Sequence, residues 1–410
     1  MRTRVSWALV AVLAVSVAGC GSKGDTGGQS ATGTLVLGAS LSLTGKLARE
    51  GILTREGYDI CQQIVNEKGG VPVGGTKLKL ELQYQDDTSQ PDTAAQVVDQ
   101  FNDKGVKLIL GPYGSATTEA AAAVIERNGQ VMADSSGADD KIFSKGYQRT
   151  FAVLSPATQY AASMVQAIAD LAQPKPTTIA FVSADDGFSK TVTKGGIEKA
   201  KELGFTVVAE EYVPNGTNDV SSALTKIKPK KPDVIIGSVH LVEGIAIIKQ
   251  SKELAVVPAG GFGETVAPPT PDFAQTLGAA AEGVLGSTQW TIKTPGNDKY
   301  FGSATDYAAA FKKKFDGREA EYHGAEGTAA CLALALAVEK AGSTDAGKVR
   351  EAMAALDEQT FFGPLKFDST GKNVTKPMEV IQIQDGKVIG VWPKAAAEAP
   401  MRWPGTKAAA

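Results

Sequence analysis

The sequence predicts an α/β protein with two lobes, each built on a parallel sheet that helices cover on both faces. From Thr34 onward, short apolar runs alternate with longer segments of helical periodicity, an alternation typical of helix-covered parallel sheets. Most of the apolar runs are continuous, as expected for strands buried on both faces. About 375 residues are too many for one open sheet, so two lobes are expected.

The N-terminal residues have the order of features found in a secretory signal peptide. Arg2 and Arg4 precede an apolar run over 5–18, and small residues follow it, as at a cleavage site. The run is roughly 14 residues, fewer than the ~20 that a helix needs to cross a bilayer. We therefore predict a signal peptide over residues 1–19.

The residues that follow indicate lipidation. The segment Val17-Ala18-Gly19-Cys20 resembles a bacterial lipobox, in which cleavage precedes the cysteine and its sulfur carries a diacylglyceryl group. An ordinary exported protein with an incidental cysteine is the alternative. Residues 20–33 are rich in glycine, serine and threonine, so we predict a lipidated cysteine on a flexible tether with a reach of about 20 Å.

Charge and histidine content argue against several function classes. The formal charge is −3, and removal of residues 1–19 would make it −5, which gives no reason to expect a nucleic-acid partner. His240 and His323 are far apart, and no HExxH or CxxC spacing occurs, so neither a metal nor a cofactor is expected.

The elements are predicted from these periodicities in chain order. Strands are expected at 34–41, 77–84, 106–111, 178–184, 206–213 and 233–239. Helices are expected at 52–68, 92–104, 116–128, 157–172, 189–203, 219–228, 242–253, 299–315, 323–341 and 345–357. Residues 378–392 read as a hairpin with Asp385-Gly386 as its turn. Residues 394–410 are rich in alanine and proline, which predicts a loose tail.

Several segments, in their order along the chain, resemble one known family. They are "GASLSLTGKLAREG", "VNEKGG", "KLILGPYGSATTEA" and "FFGPLKFDSTGKN", and they are similar to type I extracytoplasmic solute-binding proteins of the Leu/Ile/Val-binding type. Members of that type are receptors of ABC importers for hydrophobic amino acids and amides. The similarity extends over nearly all of the chain after the tether.

The resemblance implies a periplasmic binding protein type I architecture. It consists of two Rossmann-like lobes joined by three hinge crossings, near residues 155, 288 and 375, with the ligand in the cleft between them. The N-terminal lobe would contain 34–155 plus 289–375, and the C-terminal lobe 156–288 plus 376–393.

A carboxylate site is expected where a helix follows "GPYGS". Ser115 would be the N-cap of that helix, where free N–H groups and the helix dipole favour an anion. On spacing alone a plain serine N-cap is the alternative, but the resemblance implies that Ser115 and the neighbouring Ala116 meet the ligand carboxylate. It further implies that Ser136, through its hydroxyl, and Ala138, through its backbone N–H, complete the site.

The rest of the implied cleft departs from the family pattern. Phe188 corresponds to a ligand-covering aromatic residue, with a simple core aromatic as the alternative. Phe262 stands where the family has its ammonium-binding acid, and Glu264 lies two residues further on. Glu50, His240 and His323 replace aromatic wall residues, and a solvated loop position is the alternative for each of them and for Glu264. Together these replacements predict a cleft more polar than one for leucine.

The two remaining cysteines leave two alternatives open. By the resemblance, Cys61 and Cys331 both lie in helices of the N-terminal lobe that border the cleft. The favoured alternative is two separate buried thiols. The other is a disulfide, which would close a loop of about 270 residues and contribute roughly 3–5 kcal/mol.

The function that the resemblance implies is solute capture without chemistry. A monomeric, lipid-anchored binding protein on a bacterial cell membrane would close on a small amino acid, amide or related carboxylate and present it to an ABC permease. The alternative is a tethered ligand sensor with a separate signalling partner. An enzyme is not expected, because "GPYGSA" lacks the GxSxG elbow and neither histidine stands in a triad motif.

Overall fold

The computed structural model of the protein describes residues 32–405. The predicted signal peptide, Cys20 and most of the predicted tether lie outside the described residues. Thr32 and Gly33 already belong to the first strand, so that strand begins two residues earlier than expected. No helix among residues 32–405 combines the length and the apolar character that a bilayer-spanning segment needs.

The first sheet is formed by the N-terminal part of the chain. In order, this part contains β1 (Thr32–Leu41), α1 (Ala48–Glu67), β2 (Val71–Val73), β3 (Thr76–Asp86), α2 (Pro91–Asp103), β4 (Leu108–Leu110), α3 (Ser115–Asn128), β5 (Val131–Asp134), α4 (Asp140–Phe143) and β6 (Thr150–Ala152). The strand order is β2-β3-β1-β4-β5-β6. All neighbours run parallel except β2 and β3.

The second sheet begins after the first crossing between lobes. This region contains α5 (Thr158–Leu171), β7 (Thr178–Ala184), α6 (Gly187–Glu202), β8 (Thr206–Val213), α7 (Ser221–Ile227), β9 (Val234–Ser238), α8 (Leu241–Glu253), β10 (Gly261–Glu264), α9 (Pro271–Leu277) and β11 (Leu285–Thr288). The strands β7 to β11 pair parallel to one another.

The last part of the chain returns to both lobes. It contains β12 (Asn297–Asp298), β13 (Gly302–Ser303), α10 (Ala304–Lys314), α11 (Tyr322–Ala341), α12 (Ala346–Ala354), β14 (Asp357–Thr360), β15 (Gly363–Lys366), β16 (Glu379–Gln384) and β17 (Lys387–Trp392). α11 is buried in the core of the first lobe with residues of β1. β16 and β17 complete the second sheet as an antiparallel pair, in the order β17-β16-β11-β10-β9-β7-β8.

The α/β fold class with two parallel-sheet lobes is therefore confirmed. The hairpin is also as expected: Asp385 and Gly386 form its turn with φ values of 53° and 72°, the left-handed conformation that a two-residue hairpin turn needs. The full lobe boundaries stay a prediction.

The chain crosses between the sheets at three places that are bonded to one another. Ser155 follows β6, Gln289 follows β11, and Lys376 precedes β16. The Ser155 hydroxyl donates to the Lys376 carbonyl at 2.7 Å, and its N–H donates to the Gln289 side chain at 3.0 Å. The buried Lys376 ammonium donates to the Gln289 carbonyl at 2.6 Å. The crossings thus form one buried, hydrogen-bonded cluster.

Helices α1 and α11 cross at very short range, which only glycine permits. A Cβ on Gly57 would lie 2.0 Å from the carbonyl oxygen of Gly324, and one on Gly327 would lie 2.6 Å from that of Thr54. Close packing of this kind leaves no freedom to rotate either helix without a clash. The crossing therefore fixes the side of α11 that faces the other lobe.

Cys61 of α1 and Cys331 of α11 form a disulfide further along the same helix pair. The favoured expectation of two separate thiols was wrong, because the glycine-mediated crossing brings the two helices close enough, with a Cα–Cα distance of 6.2 Å. This distance lies in the ordinary range for a disulfide.

The expectation of a loose tail was also wrong for residues 394–405, which pack against the second lobe. Gln382 of β16 bonds both the N–H and the carbonyl of Arg402, each at 2.8 Å. The Trp403 indole N–H donates to the Pro174 carbonyl at 3.1 Å, and its ring lies against Gly260. The prediction from alanine and proline content failed because the Trp403 ring and the hydrogen bonds of Gln382 to the Arg402 backbone hold the segment.

Candidate functional site

A small cavity lies between the two lobes. It contains about 280 Å³ of space between atoms, of which about 20 Å³ can be reached by the centre of a water molecule. The residues that line it are Tyr113, Gly114, Ser115, Ser136, Tyr160, Phe188, His240, Val266, Tyr322 and Glu326. Of the predicted ligand-binding residues, four therefore reach the cavity: Ser115, Ser136, Phe188 and His240.

The N-terminus of α3 opens into this cavity. β4 ends at Leu110, and Gly114 turns the chain with a φ of 93°, a conformation that glycine adopts without strain. The first helical N–H that donates within α3 is that of Thr118, to the Gly114 carbonyl. The N–H groups of residues 115–117 precede it, and none donates to a described residue. They are the free donors of a helix N-terminus.

Ser115 is not the N-cap that the sequence predicted. The N-cap is Gly114, and Ser115 is the first helical residue, because only glycine accommodates the turn before it. The Ser115 hydroxyl accepts a hydrogen bond from the Asp139 N–H at 3.1 Å. The side chain of Ala116 is exposed, and Ala116 does not line the cavity.

The turn after β5 supplies fewer donors than expected. The N–H groups of Ser136 and Gly137 donate to the Asp134 carboxylate at 3.1 and 2.8 Å, and the N–H of Ala138 donates to the Ser136 carbonyl. The implied role of Ala138 was therefore wrong, since its N–H is occupied and its side chain is buried in the core. Ser136 does line the cavity, and its hydroxyl donates to the Pro112 carbonyl at 3.0 Å.

Three aromatic rings of the second lobe form the opposite wall. Phe188 packs edge-on against Tyr160 with a centroid distance of 5.3 Å, and tilted against His240 at 5.6 Å. The Tyr160 hydroxyl accepts a hydrogen bond from Gln289 at 2.8 Å. This bond links the cavity wall directly to the crossing cluster.

His240 is held as a cation by Asp186. Its Nε2 lies 3.3 Å from an Asp186 carboxylate oxygen. Burial opposes protonation of the imidazole, but the hydrogen bond and charge of Asp186 outweigh it and raise the pKa of His240 to about 9. Burial likewise opposes ionisation of Asp186, but His240 lowers the pKa of that carboxyl to about 2. The pair is thus charged at neutral pH.

Two predicted residues of the second lobe do not reach the cavity. Phe262 packs in a hydrophobic core of the second lobe. Glu264 is fully buried, and neither carboxyl oxygen has a hydrogen-bond partner among the described residues. Burial raises the pKa of Glu264 well above its usual range, and Glu243 raises it further. Phe262 and Glu264 are two residues apart on β10 and are both buried inside the second lobe, so neither makes the expected contact with the cavity.

Glu50 and His323 are buried close to the cavity but do not line it. His323 Nδ1 lies 2.6 Å from a Glu321 oxygen, and its Nε2 lies 3.4 Å from the Tyr113 hydroxyl. The Tyr113 ring lines the cavity, and its centroid lies 5.7 Å from that of the His323 ring. Tyr113 and Tyr322, which both contact His323, line the cavity where His323 was expected.

The sequence reasoning missed six lining residues: Tyr113, Gly114, Tyr160, Val266, Tyr322 and Glu326. A sequence pattern was available for two of them, because Tyr322 and Glu326 are four residues apart at the start of α11 and so share one face of the helix. Tyr113 and Gly114 directly precede Ser115, the first residue of α3, so their place next to a predicted anion site was a second signal.

Glu326 is the acidic side chain among the lining residues. Its side chain is only 1% exposed, and its Oε2 has no hydrogen-bond partner in the described part of the chain. Burial raises the pKa of Glu326 well above its usual range; Glu321 and Asp134 raise it further, and Lys376 lowers it. Within residues 32–405, no group of three or more histidine, cysteine or acidic side chains is arranged to hold a metal.

Two lobes that close over a small cavity, with free helix N–H groups on one side and aromatic rings on the other, define a binding protein for a small solute. The family described as "Periplasmic binding protein" matches residues 34–387. The chain belongs to the periplasmic binding protein family, which confirms the resemblance drawn from the sequence. Membership implies an extracytoplasmic location.

Individual relatives agree with this assignment. Leu/Ile/Val-binding protein homolog 8 of Brucella suis biovar 1 (strain 1330) is 26% identical over 395 residues, which cover 92% of this chain and 95% of the relative.

Solved structures share the fold. The branched-chain amino acid transporter substrate binding protein LivJ of Streptococcus pneumoniae, in complex with isoleucine, has a TM-score of 0.76 at 21% identity and covers 88% of this chain and 100% of LivJ. An ABC transporter solute binding protein of Rhodopseudomonas palustris, in complex with 3,4-dihydroxybenzoic acid, has a TM-score of 0.75 at 20% identity. That match covers 90% of this chain and 99% of the other.

Proposed function

We propose that this protein is the substrate-binding lipoprotein of an ABC importer. It captures a small amino acid, amide or related carboxylate-bearing solute between its lobes and delivers the solute to a permease. One observation carries the proposal: the free N–H groups at the start of α3 open into a cavity that both lobes line. Isoleucine and 3,4-dihydroxybenzoic acid, which two similar structures hold, both carry a carboxyl group.

The carboxylate of the solute binds at the N-terminus of α3. Free N–H groups and the helix dipole favour an anion there, and charge-assisted hydrogen bonds are stronger than neutral ones. The hydroxyls of Ser115 and Ser136 border the same end of the cavity. The protonated imidazole of His240 on the facing wall is compensated by Asp186, so the α3 N-terminus is the group that favours the negative end of the solute.

Closure of the lobes is the event that the permease recognises. A solute that contacts both walls binds the closed form more tightly than the open form and shifts the population accordingly. Two pairs of side chains join the lobes away from the crossings: Asp139 accepts from the Thr191 hydroxyl at 2.9 Å, and Arg49 pairs with Asp272 at 2.6 Å. Rotation about the crossing cluster opens both.

Attachment to the membrane is through Cys20. Metabolic labelling with a radioactive fatty acid should label the wild-type protein, and Cys20→Ala should abolish the label. A labelled C20A protein would contradict this part of the proposal.

The test of solute capture is a thermal-shift panel followed by calorimetry. The panel contains L-leucine, L-isoleucine, L-threonine, L-glutamine, acetamide, benzoate and 3,4-dihydroxybenzoate. We expect at least one carboxylate-bearing compound to raise the melting temperature, and the absence of any response would overturn the proposal.

The role of the α3 N–H groups is tested by comparing two variants at one position. Ser115→Ala removes the hydroxyl, whereas Ser115→Pro removes the hydroxyl and the N–H at a helix position that proline tolerates. Since a hydrogen bond to a charged group is worth about 1.5–3 kcal/mol, S115P should bind the responding carboxylate roughly 10- to 100-fold more weakly than S115A. Equal affinities would contradict the assigned carboxylate site.

A further inference from the structure

We infer that the solute carries an ammonium group and that Glu326 of the first lobe binds it. The resemblance implied a second-lobe acid at or near Phe262 for this role. This inference rests on the proposed function and narrows it, because it selects α-amino acids from the wider class of carboxylate-bearing solutes.

Glu326 is a buried acid without a partner that faces the cavity. The Oε2 of Glu326 is shielded from solvent and has no hydrogen-bond partner among the described residues. A buried polar group costs free energy unless it is paired, and a buried charge costs far more. Such a group in a native site needs a partner, and the cavity is the direction from which one can come.

The surroundings of Glu326 suit a cation. Rings of Tyr113, Tyr160 and Tyr322 line the same small cavity, and aromatic faces attract ammonium groups. No lysine or arginine is among the lining residues of the described chain. The charge of His240 is compensated by Asp186 at 3.3 Å. Lys376 lowers the pKa of Glu326, but its ammonium donates to the carbonyls of Gln289 and Pro377.

Charge balance separates the possible solutes. A monocarboxylate such as benzoate offers no cation to the buried Glu326 carboxyl, whose pKa burial raises well above its usual range, so that carboxyl stays protonated. An α-amino acid brings a carboxylate for the α3 N-terminus and an ammonium for Glu326. The ammonium favours the ionised form of Glu326, so both buried ionic groups are then paired, as low-dielectric sites require.

The other acids near the cleft are less suitable. Glu264 does not line the cavity, and the region around it is filled, since a Cβ on Gly244 would lie 2.5 Å from its Oε2. Glu50 is buried in the first turn of α1 and does not line the cavity either. Glu326, by contrast, is held in place by α11, which the Gly57–Gly324 crossing and the disulfide fix against α1.

The experiment compares amino acids with the same carboxylates lacking the α-amino group. Calorimetry pairs L-leucine with 4-methylpentanoate, L-isoleucine with 3-methylpentanoate and L-phenylalanine with 3-phenylpropanoate. The wild-type protein should bind at least one amino acid roughly 10- to 100-fold more tightly than its partner. Glu326→Gln should remove most of this preference while it still binds the partner carboxylate, which shows that the site is folded.

Two further variants complete the design. Glu326→Asp keeps the charge on a shorter side chain and should retain part of the preference. Glu264→Gln, at a buried acid outside the cavity, should leave the affinities within about threefold, as expected for a residue that contacts no solute.

The outcomes separate this inference from the proposed function. Wild-type preference for benzoate or the deaminated acids, unchanged preference in E326Q, or its loss in E264Q would each overturn the role of Glu326 and leave solute capture standing. The absence of binding by every compound in both panels would overturn the inference together with the proposed function.

Discussion

The two lobes present chemically different faces to the same cavity. The first lobe contributes the α3 N-terminus, the Ser136 hydroxyl and the Glu326 carboxyl, whereas the second contributes Phe188, Tyr160 and the paired His240. The supports differ as well, since a disulfide and a glycine crossing fix the first face and side-chain packing with one ion pair fixes the second. Under the proposed function, the first face sets which groups the solute must carry, and the second face covers the solute.

The largest expected effect comes from removing the covalent support of the first face. The Cys61–Cys331 bond closes a loop of 270 residues, so the double variant C61S/C331S should lower the free energy of unfolding by about 5–6 kcal/mol in the chain-entropy model. Guanidinium unfolding measures this change.

Reductant provides the matched control for the disulfide. It should lower the unfolding midpoint of the wild-type protein and leave that of C61S/C331S unchanged. A wild-type midpoint that is the same with and without reductant would contradict the assigned support.

The ion pair of the second face should give a smaller, pH-dependent effect. The raised pKa of His240, about 9 against 6.5, means that its stabilisation is fully present below pH 6.5 and is lost as the pH rises through 9. His240→Gln should therefore cost about 3 kcal/mol at pH 6 and much less at pH 10. Thermal unfolding at several pH values measures the difference.

Neighbouring aspartates supply the control for this prediction. Like H240Q, Asp186→Asn should remove the pH dependence of the thermal stability between pH 6.5 and 9. Asp185→Asn changes only an exposed pair with Lys190, so its stability should vary with pH as that of the wild type does. If the stability of H240Q varied with pH just as that of the wild type does, the His240–Asp186 pair would not be a support of the second face.

The C-terminal segment is a second support of the second lobe. Trp403→Ala removes the ring that lies against Gly260 and the hydrogen bond to Pro174, and since the ring is half-buried the cost should be about 1–2 kcal/mol. Trp403→Phe keeps most of the packing and should cost less than half as much. If W403A unfolds at the wild-type midpoint, the segment contributes nothing to the second lobe.

Much of the fold could be predicted from the sequence because its long elements carry strong periodicity. The runs at 34–41 and 178–184 and the hairpin at 378–392 coincide with strands of the two sheets. The short strands β5 and β10, each of four residues, were missed, since so few residues give no clear periodicity; the three-residue β4 was found because it lies in the longer apolar run at 106–111.

The site was predicted only in part, and the reason is geometric. Ser115 and Phe188 lie where strands end and helices begin, a position that the sequence reveals. Whether Glu264 or Glu326 faces the cavity depends on the direction of a side chain across two lobes, which no local pattern contains. The tail failed for a similar reason, since the contacts of Trp403 are with residues more than a hundred positions away.

The smallest expected effect concerns the contact between the two faces. Arg49 of α1 and Asp272 of α9 pair across the cleft at 2.6 Å, with about a third of each side chain exposed. Exposed pairs contribute about 0–1 kcal/mol, so Arg49→Ala should weaken binding of the best amino-acid probe by about two- to fivefold without lowering the melting temperature of the unliganded protein. Calorimetry at low and high salt measures this loss, which should shrink as salt screens the pair.

Arg55 offers a control on the same helix, because it pairs with Asp59 within the first lobe at 3.7 Å. Arg55→Ala should leave the affinity unchanged at either salt concentration, since breaking a pair inside one lobe favours neither the open nor the closed form. An equal loss of affinity in R49A and R55A would mean that charge on α1, and not a bond between the lobes, acts on the solute. The second face would then cover the first without any polar contribution from Arg49.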